Sequence, residues 1–123
     1  MPDPRHLLGA RAEGATAAWL TRAGWRVLAR RWRSAAGELD LVCLDPSGAL
    51  VGVEVKLRRT PRAGSATESV NRDRLGRMRA TLALFAAEYD QAFVVELRLD
   101  LVTVTPADGG QWRLARHPRV DAW

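Results

Sequence analysis

At 123 residues and 47% hydrophobic content, the chain has the usual size of one domain and enough apolar material for a single core. No apolar run approaches the ~20 residues of a membrane span, and Met1-Pro2-Asp3-Pro4-Arg5-His6 lacks a signal-peptide stretch, so no membrane association and a cytoplasmic location are expected. One cysteine sets aside a disulfide framework, and a net charge of +5 leaves polyanion partners open.

In chain order, Leu7 to Ala23 is alanine-rich and reads as a helix that ends at Gly24, a C-cap residue. Glu13, Ala17 and Leu20 fall on one helical stripe, so Glu13 shares its face with residues destined for the interior. An acid there needs a partner, and two remain open: one of the many arginines, or a metal site. Trp25 to Arg33 reads as a strand carrying Arg30, Arg31 and Arg33, followed by a turn at Ser34-Ala35-Ala36-Gly37. In Gly37 to Leu44, alternation sets Leu39, Leu41 and Cys43 on one side and Glu38 and Asp40 on the other. Cys43 is thereby expected to be a buried thiol. Asp45-Pro46-Ser47-Gly48 is a turn, and the run from Ala49 to Leu57 returns as the second arm of a hairpin.

That run contains the most informative residues of the chain. Ala49, Val51, Val53, Val55 and Leu57 make one apolar face, and Leu50, Gly52, Glu54 and Lys56 share the other. Lys56 is the only lysine beside eighteen arginines, a compact ammonium two residues after a carboxylate. The hairpin brings Asp40 and Glu54 near one another. Two carboxylates inside a sheet repel unless a proton or a cation compensates. Mg²⁺ suits them, because it takes oxygen ligands and often only one or two carboxylates. A neighbouring lysine can then orient or deprotonate a water, or stabilise charge growing on a phosphate. This combination points to metal-dependent nuclease chemistry.

Residues 58–68 hold Pro61, Gly64 and small polar side chains and read as a mobile loop, with Arg58, Arg59 and Arg62 placed to contact phosphate. The second helix is marked by Leu75, Met78, Leu82, Phe85 and Tyr89 at spacings of three and four, a core stripe, with Arg74 at its side as the helix residue facing a substrate backbone. Phe93 to Thr105 is β-rich, and Arg98 and Asp100 share a face as a supporting ion pair. Pro106 to Gly110 is a turn, Gln111 to Leu114 an edge strand, and a tail follows from about 115 to 123, with Trp112 and Trp123 as core or interface residues. The fold class is α/β, one domain over 1–123 with a mixed central sheet flanked by helices.

Gly37-Glu38-Leu39-Asp40, the hairpin, Val53-Glu54-Val55-Lys56 and Arg98-Leu99-Asp100 together resemble the uncharacterised bacterial YraN-like family. That family is similar to the endonuclease-like proteins related to archaeal Holliday-junction resolvases, in the PD-(D/E)XK nuclease superfamily. The resemblance covers nearly the whole chain and implies a restriction-endonuclease-like core. It also implies Asp40 and Glu54 as metal ligands, Lys56 as the catalytic lysine and Glu13 as an accessory acid. The chain departs from the family's habit at Arg74, where many members carry lysine, and at Gly52, where an aromatic is frequent.

The expected function is therefore a Mg²⁺- or Mn²⁺-dependent endonuclease acting on branched or structured DNA. DNA is favoured over RNA as the partner, and a homodimer suits a junction with two strands to cut. Asp40, Glu54, Lys56 and Glu13 form the site, and Glu38, Arg98 and Asp100 support it. The alternative is a nucleic-acid-binding protein that keeps the nuclease scaffold without turnover. A third reading makes Glu54 and Lys56 a same-strand salt bridge in a structural domain.

Overall fold

The computed structural model describes residues 4–58, 71–89 and 94–121, with side chains from Leu7 onward. The elements in order are α1 (Pro4–Arg22), β1 (Arg26–Ser34), β2 (Gly37–Leu44), β3 (Leu50–Leu57), α2 (Arg72–Glu88), β4 (Leu97–Pro106) and β5 (Trp112–His117), with a 3₁₀ turn at Asp108–Gly110. The five strands form one sheet in sequence order. Only the β3–β4 pair is parallel, because those two strands are joined by the α2 crossover rather than by a tight turn.

Local chemistry sets the element ends. The helix α1 closes in a Schellman motif: the Trp25 N–H donates to the Leu20 carbonyl at 3.0 Å and the Gly24 N–H to Thr21 at 3.1 Å. Gly24 takes the left-handed conformation this requires, with φ 91°. Leu20 and Trp25 then pack in the same cluster. The β2–β3 turn is held by Asp45, whose Oδ1 accepts from the N–H groups of Ser47 and Ala49. At the start of α2 the Asn71 Oδ1 caps the Arg74 N–H at 2.9 Å.

Helices cover both faces of the sheet. On the α1 side lie Ala12, Leu20, Trp25, Leu41, Cys43, Val51, Val53, Val102 and Val104. On the α2 side lie Leu39, Val42, Leu50, Leu75, Met78, Leu82, Leu99 and Leu101. The expected stripe of α2 is present, with Phe85 meeting Trp32 edge-on at 5.2 Å. Each fully buried leucine contributes about 2 kcal/mol. Cys43 is buried as expected.

Two expectations need correction. Leu39 does not share a face with Leu41 and Cys43: it packs on the α2 side and they pack on the α1 side. The two-residue alternation is broken at Asp40. Across from it on β1, Arg31 adopts φ 50°, a left-handed conformation that costs a non-glycine residue about 1 kcal/mol or more. The last strand also runs to His117, paired with Leu101, so the tail expected from about 115 begins inside a strand. Beyond it the Val120 N–H donates to the Leu99 carbonyl at 3.0 Å. The expected mobile loop at 58–68 lies, apart from Arg58, outside the described residues, as does Trp123.

Candidate functional site

The ladder between β2 and β3 runs from Leu44↔Leu50 to Leu41↔Val53 and stops. Continued by one step, that register sets Asp40 across from Glu54. Beyond the last backbone pair, the Val55 N–H is taken by the Asp40 carboxylate instead, at 2.8 Å. A side chain has replaced a backbone acceptor, and the sheet opens into a seam with a carboxylate on each strand.

The two carboxylates face different surroundings. Asp40 lines a cavity of about 550 Å³ on the α1 side, together with Glu13, Arg31, Arg33 and Glu38. Glu54 is buried and turns to the α2 side, where its Oε1 accepts from the Arg74 guanidinium. Burial pushes the Glu54 carboxyl up to about 7, helped by the negative charge of Asp40 and opposed by Arg74 and Lys56. Burial likewise raises Asp40, against the Val55 hydrogen bond, and Glu13 and Glu38 add to the rise. Lys56 is exposed, two residues along β3 from Glu54 and on the same side of the strand.

Glu13 reaches the cavity from α1 and pairs with Arg31, whose Nε lies 3.1 and 3.3 Å from its two oxygens. The left-handed turn at Arg31 directs this side chain to α1. Glu38 pairs with Arg33 at 3.1 Å on the surface, a contact worth little in water. Among the described residues, no three His, Cys, Asp or Glu side chains converge at metal-binding spacing. The structure therefore brings Asp40 and Glu54 to one seam and leaves Glu13 beside them on its arginine.

The donor set itself is oxygen only and excess-negative in a partly dehydrated seam. Asp40 and Glu54 could hold a hard divalent cation such as Mg²⁺ or Mn²⁺, which keeps several waters and accepts few protein ligands. Zinc sites draw on nitrogen or sulfur, and Cys43 is buried in the α1-side core.

Of the expected phosphate contacts, Arg74 is turned onto Glu54 and the Arg58 backbone N–H extends the β3–β4 pairing by donating to Val104 at 2.8 Å. Arg59 and Arg62 lie outside the described residues. The supporting pair is a larger network than the sequence indicated. Asp100, fully buried, accepts from Arg98 Nε at 2.8 Å, Arg98 Nη2 at 3.1 Å, Arg116 Nη1 at 2.9 Å and the Arg119 N–H at 3.1 Å. Arg98 also reaches Asp45 at 2.8 Å, and both guanidiniums stand over the Trp25 ring, at 5.8 and 5.2 Å. Arg116 and Asp45 carried no sequence signal of this role beyond the need of a carboxylate flanked by leucines for more than one cation.

The model of the uncharacterised protein family UPF0102 matches residues 12–104, a span that includes Glu13, Asp40, Glu54, Lys56, Arg74 and Asp100. A UPF0102 protein of Roseiflexus castenholzii is 39% identical over 105 residues, 85% of this chain and 84% of that protein. One of Mycolicibacterium gilvum is 41% identical over 108 residues, 87% of each chain. One of Deinococcus radiodurans is 40% identical over 108 residues, 86% of this chain and 87% of its own. Among the described residues, no helix is long and apolar enough to cross a membrane.

Proposed function

This chain belongs to the uncharacterised protein family UPF0102, and we propose that it is a Mg²⁺- or Mn²⁺-dependent endonuclease that hydrolyses phosphodiester bonds in DNA, with branched or structured DNA as its substrate. The observation that carries the proposal is the seam where Asp40 replaces a backbone acceptor of Val55 opposite Glu54. Two carboxylates whose proton affinity is raised by burial, with the charge of Asp40 adding to the rise at Glu54, are a costly arrangement for a structural domain. A divalent cation would relieve that cost.

When bound, the metal ion supplies Lewis-acid stabilisation of phosphate charge and a more acidic water. Asp40, held by the hydrogen bond from the Val55 N–H, and Glu54 on β3 are the residues that would hold it. Lys56, exposed two residues beyond Glu54 on β3, would present a point positive charge to a scissile phosphate and orient the attacking water. Arg31 and Arg33 border the cavity with positive charge and favour approach of a polyanion. Glu13 and Glu38 line the same cavity as Asp40 and raise its proton affinity. Because a four-way junction has two strands to cut, the proposal includes a two-fold dimer.

The test is cleavage of a labelled panel of four-way junction, flap, duplex and single-stranded DNA in Mg²⁺ and in Mn²⁺. Metal-dependent cutting supports the proposal, and the preferred member names the substrate. Salt-sensitive binding without cutting in either metal would favour a nucleic-acid-binding protein that uses the scaffold without turnover.

A further inference from the structure

The ion pair between Glu54 and Arg74 is unequal. The Glu54 side chain is 7% exposed and the Arg74 side chain 46% exposed. Glu54 issues from β3 one step past its last backbone pair with β2 and is still paired with Leu101 of β4, so it cannot leave the seam without breaking the β3–β4 ladder. Arg74 issues from the first turn of α2, where Asn71 fixes its backbone but not its side chain. A long, half-exposed side chain can rotate into water at little cost, whereas a buried carboxylate left without a cation is strongly disfavoured.

From this asymmetry we infer that Arg74 is a displaceable counter-cation: it neutralises Glu54 while no metal ion is bound, yields the carboxylate to a divalent cation, and turns its guanidinium outward to a substrate phosphate. The inference rests on Asp40 and Glu54 being the metal site and adds how that site is regulated. Among the described residues, the other charges acting on Glu54 are Asp40, Lys56 and Glu13, and Arg74 is the one that hydrogen-bonds to it. A guanidinium and a divalent cation on one carboxylate repel each other, so entry of the metal expels the arginine. The expelled group is suited to phosphate, since its planar fork matches two phosphate oxygens at once. Metal entry and phosphate capture are thereby coupled through one side chain, and metal-free protein keeps Arg74 away from the polyanion.

The competition fixes a sign that a purely structural role reverses. If Arg74 only holds Glu54 in place, its removal weakens metal binding or leaves it unchanged. If it competes, its removal strengthens metal binding. The experiment is calorimetric titration of Mn²⁺ into the full chain without nucleic acid, for wild type, Arg74→Gln, Arg74→Lys and Asp40→Asn, each first checked by thermal melting. Arg74→Gln is expected to bind Mn²⁺ about tenfold more tightly than wild type, with Arg74→Lys between them and Asp40→Asn without measurable binding. Should Arg74→Gln fail to fold, Arg74→Lys carries the comparison in the same direction. Equal or weaker binding by the Arg74 variants, with Asp40→Asn still defective, overturns the counter-cation role and leaves the metal site standing. Binding unaffected by Asp40→Asn, or absent throughout the series including Arg74→Gln, removes the metal site and this inference with it.

Discussion

The Asp40 Oδ2 atom accepts a hydrogen bond from the Val55 N–H at 2.8 Å, one step beyond the last backbone pair of the β2–β3 hairpin. One side chain thus has two tasks, to finish the sheet and to supply a carboxylate to the seam. The tasks separate by substitution. Asp40→Ala strands the partly buried Val55 amide and should cost about 1–2 kcal/mol. Asp40→Asn keeps an acceptor and should stay within about 1 kcal/mol of wild type while losing any Mn²⁺-induced rise in Tm. Urea and thermal melts with and without Mn²⁺ check both; equal metal-induced shifts in wild type and Asp40→Asn would contradict the second task.

The raised Glu54 carboxyl makes stability depend on pH with a definite sign. Its folded value of about 7 lies above the ordinary 4.5, so between these values the native state holds more protons than the unfolded chain. The contribution is fully present below about pH 4.5 and is lost as pH rises through 7, a decline on the order of 3 kcal/mol. Asp40, also raised, acts in the same direction. Glu54→Gln should flatten the decline in urea melts taken from pH 4.5 to 8. An unchanged slope in Glu54→Gln would assign it to other groups.

Gly52 sits two residues before Glu54 with no room for a side chain. A Cβ there would lie 3.0 Å from Leu99 Cδ2 and 3.1 Å from Leu39 Cδ2. Gly52→Ala should therefore destabilise by about 1–3 kcal/mol through overpacking. The larger Gly52→Phe should fail to fold here, because Leu39 and Leu99 fill the space an aromatic would need. Soluble expression and thermal melting of the two variants decide it.

The Asp100 network is expected to support the fold and leave metal binding alone. Arg98→Met removes two donors from a fully buried carboxylate and should cost about 3–5 kcal/mol. Arg116→Met, at a half-buried donor, should cost about half as much. Mn²⁺ affinity measured well below the melting temperature should match wild type in both, and a large loss would tie this network to the seam.

Much of this was legible in the sequence because it rests on strict periodicity. The alternation from Ala49 to Leu57, the turn at Asp45 to Gly48 and the three-and-four spacing from Leu75 to Tyr89 each define an element, and the hairpin follows with Asp40 opposite Glu54. Cap chemistry located Gly24. Alternation failed at Asp40, which lies across from a left-handed residue on β1, Arg31, and nothing in an arginine announces a positive φ. The face shared by Leu50 and Glu54 gave no sign that α2 would cover it. The partners of Glu13, Glu54 and Asp100 were hidden for a plainer reason: with eighteen arginines in the chain, composition offers many candidates and only the fold selects Arg31, Arg74, Arg98 and Arg116.

The most direct measurement is the initial rate of cleavage of the preferred DNA substrate in Mn²⁺ by wild type and by Asp40→Asn, the variant that keeps the Val55 hydrogen bond. Wild type should cut only when the metal is present, and Asp40→Asn should be slower by at least about 100-fold at unchanged stability. Cleavage that persists in Asp40→Asn, or that proceeds equally in EDTA, would contradict a metal-dependent site at the Asp40–Glu54 seam.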